Sequence, residues 1–234
     1  MEKEEEVAKI PIEEEVPAIP TLAEEWAPKT SLGIQVMEGK ITDIEQIFSQ
    51  GLKISEPQIV DRLLPNLKSE IIFIGGRTGK GGGIQRIPIK ITAKVTKSGR
   101  RFSMGAFVVV GNEDGIVGVG GGKAPDARSA ILKATQKAKL NLIKVKRGCG
   151  SWECSCGKEH SIPFKVEGKS GSVKTLLLPA PKGVGLVADD TLKKILRLAG
   201  IKDLWVKTFG NTRMRRNLIV AAYNALKNLY VYER

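Results

Sequence analysis

Residues 97–145 read KSGRRFSMGAFVVVGNEDGIVGVGGGKAPDARSAILKATQKAKLNLIKV. A basic turn, KSGRR (97–101), leads to the apolar run Phe107–Val110, a polar turn, GNEDG (111–115), and a second strand, Ile116–Val119. That order predicts an antiparallel meander. Pro125 and Asp126 then open a helix expected to run from Asp126 to Ile143, with Ile131, Ala134, Ala138 and Leu142 as its apolar stripe.

Upstream, Ile87–Thr96 alternates apolar residues with Pro88, Lys90, Thr92, Lys94 and Thr96. Period two predicts a strand with one face buried and Lys90 and Lys94 exposed. TDIEQIFSQG (42–51) reads as a short amphipathic helix, and Gln58–Leu64, between Pro57 and Pro65, as another. Together these elements give α-β-β-β-α, a two-layer α+β domain.

Downstream, Ile162–Val166 and Val173–Leu178 alternate as strands. A helix over 190–199 is capped by Asp189 or Asp190 and stopped by Gly200, and Leu192, Ile195, Leu196 and Ala199 form its stripe. A strand at Leu204–Thr208 and a helix over 212–228 close a β-α-β-α run.

The chain has 234 residues and a formal net charge of +13. Residues 1–29 hold nine Glu and three Lys, a net of −6, so the remainder carries +19. Unpaired charge stays at the surface, and a folded body this basic points to a polyanion such as nucleic acid. The longest apolar runs fall short of the roughly 20 residues that span a bilayer, and the acidic N-terminus has no signal-peptide pattern. Three clustered cysteines do not make a disulfide framework, so the expected compartment is the cytoplasm.

Two Gly-rich segments, read as loops, carry bases. Gly75–Gly83 stands beside Arg77, Lys80 and Arg86, and Val117–Ala124 beside Lys123 and Arg128. In a nucleotide-binding P-loop a Ser or Thr follows Gly-Lys to hold magnesium; here Gly81 and Ala124 occupy those places. Gly118, Gly120, Gly121 and Gly122 also miss the dinucleotide spacing. Those departures argue against a phosphoryl-transfer enzyme. Close approach of backbone to a sugar-phosphate chain suits glycine and base together, and the N-terminus of helix 126–143 is an expected anion site.

Arg213, Arg215 and Arg216 are expected in the first turn of helix 212–228, where the macrodipole disfavours cations. A bound phosphate would offset that cost. Lys97, Arg100 and Arg101 crowd a hairpin tip turned by Gly99, a placement that suits phosphate or groove contacts. Cys149, Cys154, Cys156 and His160, spaced C-x4-C-x-C-x3-H, supply four ligands of the kind that hold structural zinc; the alternative is a set of reduced thiols in an exposed connector.

Residues 97–145 resemble the RNA-binding domain of small-subunit ribosomal protein five. GKSGSVKTLLLPAPKGVGLVADDTLKKILRLAGIKDLWVKTFGNT (168–212) is similar to that family's C-terminal domain, and RGCGSWECSCGKEH (147–160) to the connector of its archaeal members. The resemblance runs from about residue 52 to 229. It implies an acidic, Pro-containing tail (1–41), a short helical extension (42–66), a domain akin to double-stranded-RNA-binding folds (67–146), a Cys/His connector (147–161) and a β-α-β domain of the ribosomal-protein-five type (162–234). The implied function is that of a structural, non-enzymatic rRNA-binding component of the small ribosomal subunit. The implied place is close to the decoding region and to where mRNA enters, with effects on translational accuracy and subunit assembly. Lys97, Gly99, Arg100 and Arg101 match the family's RNA-contacting loop, and ribosomal proteins three and four are the implied neighbours. No cofactor is required beyond the candidate zinc. GGRTGKGGGIQRIP (75–88) reads as an insertion, leaving either Glu70–Ile74 or Ile87–Val95 as the domain's first strand.

Overall fold

In the computed structural model, which describes residues 26–78 and 82–231, the chain turns at Asn112, whose Oδ1 accepts hydrogen bonds from the N–H groups of Asp114 (2.9 Å) and Ile116 (3.0 Å). This turn joins strand β5 (Gly99–Gly111) to β6 (Ile116–Ala124) in antiparallel register. Along β5, Val108 and Val110 face one side and Phe107 and Val109 the other, and all four are buried. Burial on both faces is why the run is continuously apolar rather than alternating.

The segment Val117–Ala124 is not a loop but most of β6. Helix α4 (Ala127–Leu140) lies directly on it. A Cβ on Gly120 would fall 2.8 Å from Ala138 Cα, and one on Gly122 2.6 Å from Ala134 N. The glycines are thus close-packing positions matched to the buried Ala130, Ala134 and Ala138 of α4. Asp126 caps α4 by accepting from Ser129 N, and the helix ends at Leu140, short of the expected Ile143. Leu142–Lys144 instead forms β7, which pairs with β6 and buries Leu142.

Both candidates for the first strand are strands. β1 (Lys68–Ile72) pairs with the second half of β5 and β4 (Ile89–Thr96) with the first, so that Ile72 opposes Phe107 and Ile89 opposes Ala106. They are two halves of one sheet edge, separated by the excursion 73–88. That excursion is itself a hairpin of β2 (Gly75–Thr78) and β3 (Ile84–Ile87), so the first Gly-rich segment begins as strand and leads directly into one. The buried face expected on β4 is absent: Ile91 is 56% and Val95 74% exposed. The outer part of the β4–β5 hairpin extends past the helices that cover the rest of the sheet.

The second sheet has the order β10-β11-β9-β8, built from β8 (Val166–Ser170), β9 (Val173–Pro179), β10 (Leu186–Val187) and β11 (Leu204–Phe209). Strand β8 begins at Val166, so Ile162–Val166 is an irregular approach that buries Ile162 and Val166 and exposes Phe164 and Lys165, not a strand. Helix α5 (Asp190–Leu198) is capped by the Asp189 side chain, and the expected stripe Leu192, Ile195, Leu196 and Ala199 is buried. Helix α6 (Arg215–Val231) starts three residues later than expected. Gly168 of β8 repeats the close-packing device, since its Cβ would lie 2.8 Å from Ala225 Cα of α6.

One core joins the halves. Phe107, Val109, Val117 and Val119 pack in the same cluster as Leu192, Ile195, Leu218 and Ile219. The opposite face of the first sheet is covered by α4 with α1 (Ser31–Met37), α2 (Ile44–Ser49) and α3 (Pro57–Leu63). Helix α1 falls within the span read as tail. Thr30 caps it, and Glu56 anchors its approach by accepting from Trp26 Nε1 (2.8 Å) and the N–H groups of Lys29 (3.0 Å) and Thr30 (2.8 Å). Residues 1–25 and Lys80 lie outside the described residues. No helix of the described residues is long and apolar enough to cross a membrane.

Candidate nucleic-acid interface and metal centre

The β4–β5 hairpin closes at Thr96 and Gly99, with Lys97 and Ser98 between them. Gly99 has φ +109°, a conformation open to glycine, and Thr96 Oγ1 donates to its carbonyl at 2.9 Å. Lys97, Arg100 and Arg101 are exposed, and among the described residues none has an acidic partner. Register places Lys94 opposite Arg101 and Lys90 opposite Gly105, which is in turn opposite Lys123 of β6. Lys90, Lys94, Arg101 and Lys123 therefore share one face. The other face carries Ile91, Val95, Arg100 and Phe102.

The basic face leads into a cleft of about 390 Å³ between the first sheet and the start of α6. Lys90, Lys123, Lys137, Arg213, Arg215 and Arg216 line it, and no Asp or Glu does. The three arginines differ in their commitments. Arg213 precedes the helix and is exposed. Arg215 is bound to Asp189 and donates to Thr191 Oγ1 at 2.8 Å, so Asp189 supplies the countercharge that the helix start lacks. The Arg216 guanidinium lies over the Phe107 ring, 5.5 Å from its centroid. Arg77 and Arg86 project from the β2–β3 hairpin, apart from this cleft. Arg128 is exposed in the first turn of α4, where Asp126 already answers the expected anion site.

In the connector, the main chain at Gly148 exchanges two hydrogen bonds with Ser161, both 2.9 Å, which closes the loop between them. Inside it the donor atoms of Cys149, Cys154, Cys156 and His160 all lie within 4.8 Å of one another. Cys149 Sγ is 3.6 Å from Cys156 Sγ, and Cys154 Sγ is 3.7 Å from His160 Nε2. Zinc–sulfur bonds of about 2.3 Å at tetrahedral angles put ligand atoms about 3.8 Å apart, so the set fits zinc. Backbone N–H groups of Lys182 and Cys156 aimed at Cys154 hold its thiol down at about 6, which favours the thiolate a metal needs. Desolvation and the neighbouring sulfurs push Cys149 up.

Sequence reasoning did not find Asp203. Its Oδ2 lies 2.9 Å from His160 Nδ1, and both residues are buried. This approach turns His160 Nε2 toward the sulfurs. Nothing local marks the pair, because Asp203 arrives from the start of β11. Lys90 and Lys137 were likewise readable only as solvated charges, until the fold set them around one cleft.

A family model described as "Ribosomal protein S5, N-terminal domain" matches residues 85–146, and one described as "Ribosomal protein S5, C-terminal domain" matches 168–234. The chain is also 54% identical over 206 residues to the small ribosomal subunit protein uS5 of Nanoarchaeum equitans, covering 88% of each chain. It is 53% identical to that of Pyrobaculum aerophilum, over 89% of this chain and 88% of the relative. For Ignicoccus hospitalis the figure is 50%, over 92% and 95%. The chain belongs to the ribosomal protein S5 family.

As a ribosomal protein S5 it is a structural part of a cytoplasmic RNA–protein particle and not an enzyme, in keeping with glycines that serve packing instead of nucleotide binding. Its partners are accordingly rRNA and other ribosomal proteins. The two family models leave residues 147–167 between them, so the Cys/His connector is outside what defines the S5 domains.

Proposed function

We propose that this ribosomal protein S5 binds small-subunit rRNA beside the decoding region, on the face where mRNA enters, and that it contributes there to translational accuracy and subunit assembly. The observation that carries this reading is the β4–β5 tip. It exposes Lys97, Arg100 and Arg101 at the hairpin end with no acidic partner among the described residues. Surface arginines gathered without countercharge are matched by phosphates. Gly99 holds the tip in shape. Lys123, Arg213 and Arg216 extend the basic surface into the cleft, with Arg215 entering it already tied to Asp189. Arg128 adds contacts at the surface of α4, Arg77 and Arg86 add them on the inserted hairpin, and Lys80 is a further proposed rRNA-binding residue. Ribosomal proteins three and four are the proposed protein neighbours.

The same reading includes a structural zinc held by Cys149, Cys154, Cys156 and His160. Its support is the donor set at tetrahedral spacing. In the purified, chelator-washed protein we expect close to one equivalent of zinc, and less than about 0.2 would end the assignment.

The functional test is the triple change K97A/R100A/R101A. Small subunits carrying it are expected to misread more often or to accumulate in lower yield. Normal fidelity together with normal particle yield would contradict the assignment of the tip.

A further inference from the structure

The cleft between the first sheet and α6 has a chemistry distinct from the rest of the basic surface. Its charged groups surround apolar walls contributed by Ile74, Met214 and Phe107. Its volume, about 390 Å³, falls in the roughly 300–1,000 Å³ range of sites that enclose a small ligand. A phosphate ridge lying across a groove needs no such apolar interior, and a helical duplex cannot send a base into one.

Arg216 gives the cleft a flat surface. Phe107 supports its guanidinium from beneath, so the plane is held in place before any ligand arrives. Unstacked bases of RNA settle on such planes. Gly105 adds a wall without a side chain, and Gly121 lets the Phe107 ring lie close against the sheet, where a Cβ would fall 2.7 Å from it. The lining has no Asp, Glu, Asn or Gln, so its base-reading groups are donors from Lys and Arg and the Thr92 hydroxyl.

We propose that this cleft holds one unpaired RNA nucleotide, its base stacked on Arg216 beside Met214 and its phosphate on Lys123 and Arg213. The proposal rests on the RNA-binding reading above and adds a site for a single extruded base. Stacking on a guanidinium needs the plane as well as the charge, so Lys at position 216 should not replace Arg.

The full-length protein is titrated with two RNA hairpins that differ only by a one-nucleotide bulge, with adenosine monophosphate and inorganic phosphate as competitors. The bulged hairpin should bind about tenfold more tightly than the paired one. R216K and M214N should each abolish the preference, so that bulged and paired hairpins bind the variant equally whatever its paired-hairpin affinity, with the circular dichroism spectrum of the folded protein retained. Adenosine monophosphate should suppress the preference at concentrations where phosphate does not. Equal binding of both hairpins by the wild-type protein would overturn the nucleotide site and leave the RNA-binding reading standing. Failure to bind either hairpin at moderate salt would overturn both. An unaltered preference in R216K would overturn the stacking geometry, and adenosine monophosphate bound without any bulge preference would mark a free-nucleotide site instead.

Discussion

Asp203 Oδ2 stands 2.9 Å from His160 Nδ1, while its Oδ1 accepts hydrogen bonds from the N–H groups of Gly183 (3.0 Å) and Gly185 (2.8 Å). One carboxylate thereby joins the cysteine loop, the 181–186 turn and the start of β11. Partners behind a metal's ligands fix ligand orientation, and their loss costs roughly 10–100-fold in metal affinity. D203N is expected to weaken zinc binding by that factor, measured by chelator competition, with the far-ultraviolet circular dichroism unchanged. Unaltered zinc affinity would show that Asp203 does not act through His160.

Gly120 has no space for a methyl group, because its Cβ would fall 2.8 Å from Ala138 Cα in the backbone of α4. G120A must push helix and strand apart, which costs about 1–3 kcal/mol or more. A fall in melting temperature of several degrees is expected. The same substitution at Gly82, whose φ is +77° but whose Cβ would meet nothing within 4 Å, should cost less.

Several elements were legible in the residues. The stripe of α5 repeats at helical spacing between a capping Asp and Gly200, and the structure buries it as expected. The GNEDG turn carries its own hydrogen-bonding residue, Asn112. The glycine tract of β6 was not legible as a strand. Glycine has no side chain to alternate, and its fit to Ala130, Ala134 and Ala138 exists only once α4 lies on it. Strand β4 misled in the opposite way, since its period of two is real but its apolar face meets no covering layer. At the site, the basic tip and the Cys/His set could be read locally. The commitment of Arg215 to Asp189 and the gathering of Lys90, Lys123 and Arg216 depend on contacts between distant segments.

Glu56 ties the segment Trp26–Thr30 to the start of α3. Desolvation pushes its carboxyl up, but the hydrogen bonds from Lys29, Thr30 and Trp26 together outweigh it and leave the pKa lowered. A depressed carboxylate stabilises the fold above its unfolded value of about 4.3 and loses that contribution as pH falls through the folded value. Protection of the amides at residues 26–36, after division by their intrinsic exchange rates, should therefore fall below about pH 4, ahead of protection in β5. E56Q should remove that pH-dependent step, and an identical profile in E56Q would contradict the link.

Charge removal at the hairpin tip should separate binding from stability. Lys97, Arg100 and Arg101 support no packing, so K97A/R100A/R101A should change folding stability by no more than about 0.5 kcal/mol. Its affinity for rRNA should depend less steeply on salt. Each phosphate that the variant no longer neutralises lowers the slope of log K against log salt by about 0.7–0.9. An unchanged slope would mean that the tip does not meet phosphate.

Quantitative co-sedimentation with small ribosomal subunits, combined with RNA crosslinking of residues 75–101, tests the central claim most directly. The protein should remain stoichiometric on the particle after a moderate-salt wash, and its crosslinks should run from the β4–β5 tip to the rRNA of the decoding region. Protein found mainly off the particle, or particles whose rRNA crosslinks avoid the tip, would contradict it.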